Sequence, residues 1–227
     1  MMYLKKIFLF SFCCLFFLNC NKTDALIQAV SLNVVNTSQG LENAKLSFPT
    51  TGYYSQISGV DFGSNAVFTL PAGSSAITIT NGLDSTKPIY TGSLTAGFGD
   101  VYSLYLAGDV GNDIILKQDL IPAHADSSVG IRFMNLSPGS NAVSVNLVDS
   151  AFGSEVPSMQ YKDITDFKNY SASGTFIKSG YFLEFRDVDT GDLLATFKTG
   201  ALPVFKNFTV ILYGDPGGQS IMKVGNY

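Results

Sequence analysis

The sequence predicts an all-β protein: two tandem antiparallel β-sandwich domains, immunoglobulin-like or transthyretin-like, placed after an export signal. Three observations carry that prediction. From Ala29 onward, short apolar runs are broken every eight to twelve positions by Gly, Pro, Asn, Asp or Ser, which is the pattern of strands joined by turns. No apolar period of 3.6 persists for three turns, so helices are incidental. The strand pattern is also written twice.

Taken in order, residues 1–19 read as a signal peptide. Lys5 and Lys6 precede an apolar run from Ile7 to Leu18. As a helix this run rises about 18 Å, too little for a hydrocarbon core of about 30 Å. Cys13 and Cys14 lie inside the run, and Cys20 lies at its polar edge, followed by Asn21, Lys22, Thr23 and Asp24. The arrangement resembles a bacterial lipoprotein signal, in which a peptidase cuts before an acylated cysteine; Phe17 and Asn19 stand where such signals usually carry Leu and a small residue. The resemblance makes Cys20 the lipidated first residue of the mature chain, and residues 20–28 its tether. Asn21 stands where, by resemblance to enteric sorting, an Asp would favour the inner membrane. The expected address is therefore the outer membrane, with its periplasmic or cell-surface face left open.

Removing Lys5 and Lys6 from the 14 basic side chains leaves 12 against 18 acidic ones, a net −6. That balance argues against nucleic acid as a partner. The mature chain then has no cysteine beyond the lipidated one, so neither disulfides nor thiolate chemistry are expected.

The first set of expected strands runs over Ser31–Asn36, Ala66–Leu70, Ala76–Thr80, Tyr102–Ala107 and Ile114–Gln118. The second runs over Ile131–Asn135, Val143–Val148, Thr175–Lys178, Tyr181–Phe185, Leu193–Phe197 and Asn207–Tyr213. Leu32 to Ser38 aligns with Ile131 to Ser137 at an offset of 99, and Tyr102 to Asp109 aligns with Phe208 to Asp215 at an offset of 106. Tyr54 and Ile57 pair with Tyr161 and Ile164 in the same scheme. A period near one hundred residues suits two sandwiches of seven or so strands. The expected domains are 29–122 and 129–227, joined by a small, polar linker at 123–128.

The strings LPAGSSAITIT (Leu70 to Thr80), GDVYSLYLAG (Gly99 to Gly108), IRFMNLSPGSNAVSVNL (Ile131 to Leu147) and FKNFTVILYGD (Phe205 to Asp215) support a family resemblance. The chain resembles the bacterial family called domain of unknown function 4397. The resemblance implies an extracytoplasmic β-sandwich module, common in lipoproteins, and transfers no functional residues.

Site chemistry is sparse. His124, the one histidine, falls in the linker and reads as exposed; no Gly-x-Ser-x-Gly elbow accompanies it. Asp187 to Asp192 and Asp109 to Asp113 resemble parts of a calcium loop but read as hairpin turns, with Gly191 at positive φ. Asp61, Asp163, Asp166 and Glu184 are the carboxylates from which a glycosidase pair would have to be drawn, and Glu184 reads as outward-facing because it interrupts an apolar strand. Tyr53, Tyr54 and Tyr170 sit in loop-like sequence and are the candidate binding aromatics. Ser85 and Ser150, each preceded by Asp, fit a bacterial O-glycosylation acceptor. Asn36-Thr37-Ser38 and Asn135-Leu136-Ser137 read as strand-end turns rather than glycan acceptors. No metal or cofactor is expected.

These readings point to a non-catalytic lipoprotein acting as a binding, adhesion or accessory module, with the membrane as one partner and envelope proteins or glycans as others. The alternatives are a carboxylate-dependent hydrolase with an interdomain cleft and a structural subunit of an outer-membrane complex.

Overall fold

The computed structural model describes residues 28–49 and 58–226. Cys20, residues 21–27 of its tether, Tyr53, Tyr54 and Ile57 lie outside the described residues. The first copy comprises β1 (Ala29–Asn36), β2 (Asn43–Ser47), β3 (Ser58–Asp61), β4 (Ser64–Pro71), β5 (Gly73–Asn81), β6 (Pro88–Ala96), β7 (Val101–Ala107) and β8 (Asp113–Gln118). The second comprises β9 (Ser128–Leu136), β10 (Val143–Leu147), β11 (Val156–Met159), β12 (Lys168–Ser171), the helical turn α1 (Phe176–Ser179), β13 (Phe182–Asp187), β14 (Leu193–Lys198), β15 (Asn207–Tyr213) and β16 (Ser220–Asn226).

Each copy folds into two four-stranded sheets. Their orders are β4-β1-β7-β8 and β3-β2-β5-β6 in the first copy, β12-β9-β15-β16 and β11-β10-β13-β14 in the second. Adding eight to each strand number of one copy gives the other, so the duplication extends to topology. Each sandwich thus has eight strands instead of the seven or so expected. The order is not the immunoglobulin one, in which the first and second strands share a sheet; the transthyretin-like expectation is the one left standing.

The sheets are not wholly antiparallel. β1 pairs with β7, and β9 with β15, in parallel. The two registers repeat each other: Leu32 faces Tyr102 as Ile131 faces Phe208, and Asn36 faces Leu106 as Asn135 faces Leu212. The continuous apolar runs of these strands explain the difference, since a strand buried on both faces does not show an alternating pattern.

Burial on both faces follows from the way the sandwiches stack. Val30, Leu32, Val34, Leu104 and Leu106 enter the core of the first sandwich, and Ile131, Phe133, Phe208, Val210 and Leu212 that of the second. The intervening residues Val35, Tyr105 and Ala107 meet Met134, Leu136 and Ile211 in a third core, between β4-β1-β7-β8 and β12-β9-β15-β16. Four sheets are therefore stacked in series, with two outer sheets half exposed and the central strands β1, β7, β9 and β15 of the two inner sheets enclosed.

Contacts across the seam fix the relative polarity of the copies. Asp113, at the start of β8, meets Tyr161 and Lys162, and Phe62 packs edge-on against Tyr213 with ring centroids 5.7 Å apart. At the opposite end Asp119 meets Asn226. β1 and β9 therefore run the same way, and both begin at one end of the molecule.

Two local expectations need correction. The segment Thr175–Lys178 is no strand: it forms α1, with Ser179 N–H donating to Thr175 O at 3.1 Å and Gly180 N–H to Phe176 O at 2.9 Å. Gly174 and Gly180, at φ +59 and +67, turn the chain away on either side before it can pair with a sheet. The linker, too, is held. His124 Nε2 lies 2.8 Å from Asn207 Oδ1, its Nδ1 3.1 Å from Ser128 Oγ, and Asn207 Nδ2 donates to Pro122 O at 3.0 Å. His124 is thus a half-buried clasp rather than a free linker side chain, and Ser128 belongs to β9.

Candidate functional site

The strongest concentration of polar chemistry lies where the copies meet. Asp119, directly after β8, is 5% exposed, and Arg132, in the middle of β9, is 2% exposed. Arg132 Nη2 donates to Asp119 Oδ1 at 2.6 Å and to the Tyr105 hydroxyl at 3.1 Å, while its Nε donates to Thr209 Oγ1 at 2.8 Å. The other Asp119 oxygen accepts from Ser103 Oγ at 2.6 Å. Thr209 in turn donates to Asn226 Oδ1 at 2.7 Å. A buried pair needs such additional bonds, because the attraction alone does not repay the loss of water. Burial raises the Tyr105 phenol above its ordinary range, so at neutral pH it is a neutral partner.

Arg132 also lies over the Phe167 ring, with Cζ 4.5 Å from the centroid. This stack forms the floor of an interdomain groove of about 250 Å³ lined by Lys117, Gln118, Leu120, Pro122, Thr165, Asp166 and Phe167. A shallower depression continues past Gln118 and Leu120 to Gly99 and Asp100. The groove presents an ammonium, a carboxamide, a carboxylate and the 82% exposed Leu120. Such a mixture of hydrogen-bonding groups and apolar surface is suited to holding a polar ligand. Thr165, the hydroxyl in its lining, is occupied by the backbone of Phe133 and Asp166.

The residues singled out from sequence do not converge here, except Asp166. Tyr170 is not in a loop: it lies on β12, is 6% exposed and belongs to the second core. Its hydroxyl donates to Glu155, and burial followed by that carboxylate raises its ionisation well above the ordinary phenol range. The tyrosine pairs with β9 because Asn169 and Ser171 are the exposed positions of an alternating strand too short to read from sequence. Asp61 accepts from Asn43 Nδ2 at 2.6 Å on one outer sheet, and Glu184 pairs with Arg186 Nε at 2.9 Å on the other. Asp163 caps its own turn by accepting from Gln160 N–H at 2.7 Å. The expected outward position of Glu184 matches its half-buried place opposite the buried Leu183 and Phe185.

Ser85 and Ser150 are exposed and lie in turns, beside Asp84 and Asp149. Asp187 Oδ1 accepts from Asp189 and Thr190 N–H at 2.8 and 2.9 Å, and Gly191 has φ +78, so this segment is a hairpin turn. Among the described residues no group of three or more His, Cys, Asp or Glu side chains is arranged to hold a metal ion. One spacing that strand-and-turn reading does not single out is Ser220-x-x-Lys223. It falls on β16, where residues three apart point to opposite faces.

The Asn-x-Ser strings have a structural role. Asn36 and Asn135 are 0% exposed, and each Oδ1 accepts the N–H two residues on, from Ser38 at 3.1 Å and Ser137 at 3.0 Å. Asn36 Nδ2 then crosses to the other sheet, donating to Leu41 O at 2.8 Å and Val60 O at 3.0 Å. Asn135 Nδ2 reaches Met159 O at 3.5 Å in the same way. The enclosed amides explain why these strings recur.

No family model and no curated protein matches the chain. Among solved structures, the chain is similar to CBMbc, the family CBM26 module of Eubacterium rectale Amy13K solved in complex with maltoheptaose. The identity is 12% and the TM-score 0.27, over 87% of this chain and 98% of that one.

Proposed function

We propose that the protein is a non-catalytic lipoprotein of the outer membrane, anchored through Cys20, that binds an envelope partner in the interdomain groove. The groove carries the binding reading. Both copies line it, through Lys117 and Gln118 on one side and Asp166 and Phe167 on the other. Its walls are held by the buried Asp119–Arg132 pair, so capture orders few side chains. The position of Cys20 at the polar edge of the apolar run supports the anchor, and the twice-written strand motifs support membership of the domain of unknown function 4397 family.

Two experiments test this reading. Cys20→Ser should shift the protein from the membrane fraction to the soluble fraction; retention of the variant in the membrane overturns the anchor. Photo-crosslinking from a cysteine at exposed Gln118 in the native envelope should capture a discrete partner that a cysteine at exposed Asn112 does not capture. The same adducts from both positions would remove the groove from the proposal.

A further inference from the structure

We propose that the end of the molecule where β1 begins is a membrane-docking face, seated on the phospholipid surface to which the chain is tethered. The proposal rests on the lipid-anchor reading and adds an orientation to it. At this end the turn from Gly97 to Asp100 is bonded to the start of β1: Gly99 N–H donates to Ala29 O, and Ser31 N–H to Asp100 O, both at 3.0 Å. The side chain beside the turn's apex, Phe98, is 71% exposed. The second copy repeats the turn at the same end, with Phe205 N–H donating to Ser128 O at 2.9 Å and Gly130 N–H to Lys206 O at 3.0 Å.

By these bonds Phe205 is the counterpart of Gly99, and the two share a left-handed backbone, φ +62 and φ +83. Glycine adopts that conformation freely; a bulky aromatic residue does not. Phe205 is nonetheless 56% exposed and belongs to none of the three apolar cores. A backbone outlier of this kind points to a functional constraint, and insertion into an apolar phase supplies one.

The exposed phenylalanines are distributed in the same sense. Phe152, Phe176 and Phe182 are 53%, 42% and 50% exposed and lie on connections or strand starts at this end. The other exposed phenylalanine among the described residues, Phe62, is at the far end and packs against Tyr213. Lys178 shares α1 with Phe176, Lys206 follows Phe205, and Lys198 Nζ lies 4.7 Å from the Phe182 ring centroid. Aromatic side chains beside lysines suit the boundary between headgroups and acyl chains. The occupant is the bilayer because the tether enters here. Asn21 to Gln28 span about 28 Å at full extension, which keeps Ala29 and the adjoining Phe98 turn close to the lipid-bearing residue.

The chain contains no tryptophan, so one introduced at a chosen site reports that site alone. The full chain, isolated from membranes, would carry Phe98→Trp, Phe205→Trp or, at the opposite end, Leu83→Trp, where Leu83 is 83% exposed. Each variant is reconstituted into phosphatidylethanolamine–phosphatidylglycerol vesicles with plain or brominated acyl chains. The expected result is blue-shifted emission at positions 98 and 205 that bromine quenches, with neither effect at 83. Equal quenching at all three positions, or none at 98 and 205, overturns the docking face. The mass of the N-terminal peptide reads acylation of Cys20 separately, so loss of the anchor and loss of the docking face are distinguishable.

Discussion

Asn36 is a single side chain that holds two sheets together. Replacing it by Ala leaves Leu41 O and Val60 O without their donor inside the sandwich, a loss of about 2 kcal/mol by the cost of stranding buried polar groups. Urea unfolding of Asn36→Ala and Asn135→Ala should show both copies weakened. Asp113 makes a different prediction. The Lys162 ammonium beside it, helped by the Tyr161 hydroxyl, holds its carboxyl below the ordinary range. Because the folded value is the lower one, this contribution is complete above about pH 4, where the unfolded carboxyl is ionised, and is lost as pH falls through the folded value. Unfolding midpoints measured from neutral to acid pH should fall less steeply for Asp113→Asn than for the natural chain. Tyr170 has the opposite sign. Its phenol is raised, so its contribution is full below about pH 10 and lost above it, and Tyr170→Phe should blunt that alkaline loss.

Among the elements, those that combine length with β-branched or aromatic residues are legible in the sequence: β1, β7, β9 and β15 have both. β2, β3, β11 and β12 are four or five residues long, and their polar positions resemble loops, so only pairing with a neighbour makes them strands. Thr175 to Lys178 reads as a strand because Thr, Phe and Ile favour one, yet the flanking glycines deny it a partner. The turn at Phe205 gives a prediction of its own at this scale. Phe205→Gly should raise stability by about 1 kcal/mol, because the strain of a left-handed aromatic residue exceeds the added freedom of the unfolded chain. Thermal unfolding measures the gain, and the brominated-vesicle assay measures what is given up for it.

At the scale of the whole molecule, the candidate groove is not readable from sequence, since the alternation of β9 places Arg132 on a face that is exposed in an isolated sandwich. Only the stacking of the two inner sheets encloses it. Arg132→Met should therefore cost about 3–5 kcal/mol, by leaving the Asp119 carboxylate buried without its cation, and adding Asp119→Leu should recover most of that loss. A denaturation series on the three variants checks the coupling. The third core also predicts one cooperative transition for both sandwiches by calorimetry, since separating them exposes Val35, Tyr105, Met134 and Ile211 together.

The registers of the inner strands make Asn33 the counterpart of Arg132, and Asn226 the counterpart of Asp119. The seam is thus symmetric in its apolar residues and lopsided in its charges. Two first copies brought together through this face would bury two carboxylates opposite amides, and two second copies would bury two guanidinium groups in the same position. Either self-pairing strands charge in a dry interface; the mixed pairing alone neutralises it. The charge pattern therefore selects a first copy against a second copy and disfavours pairing of like with like.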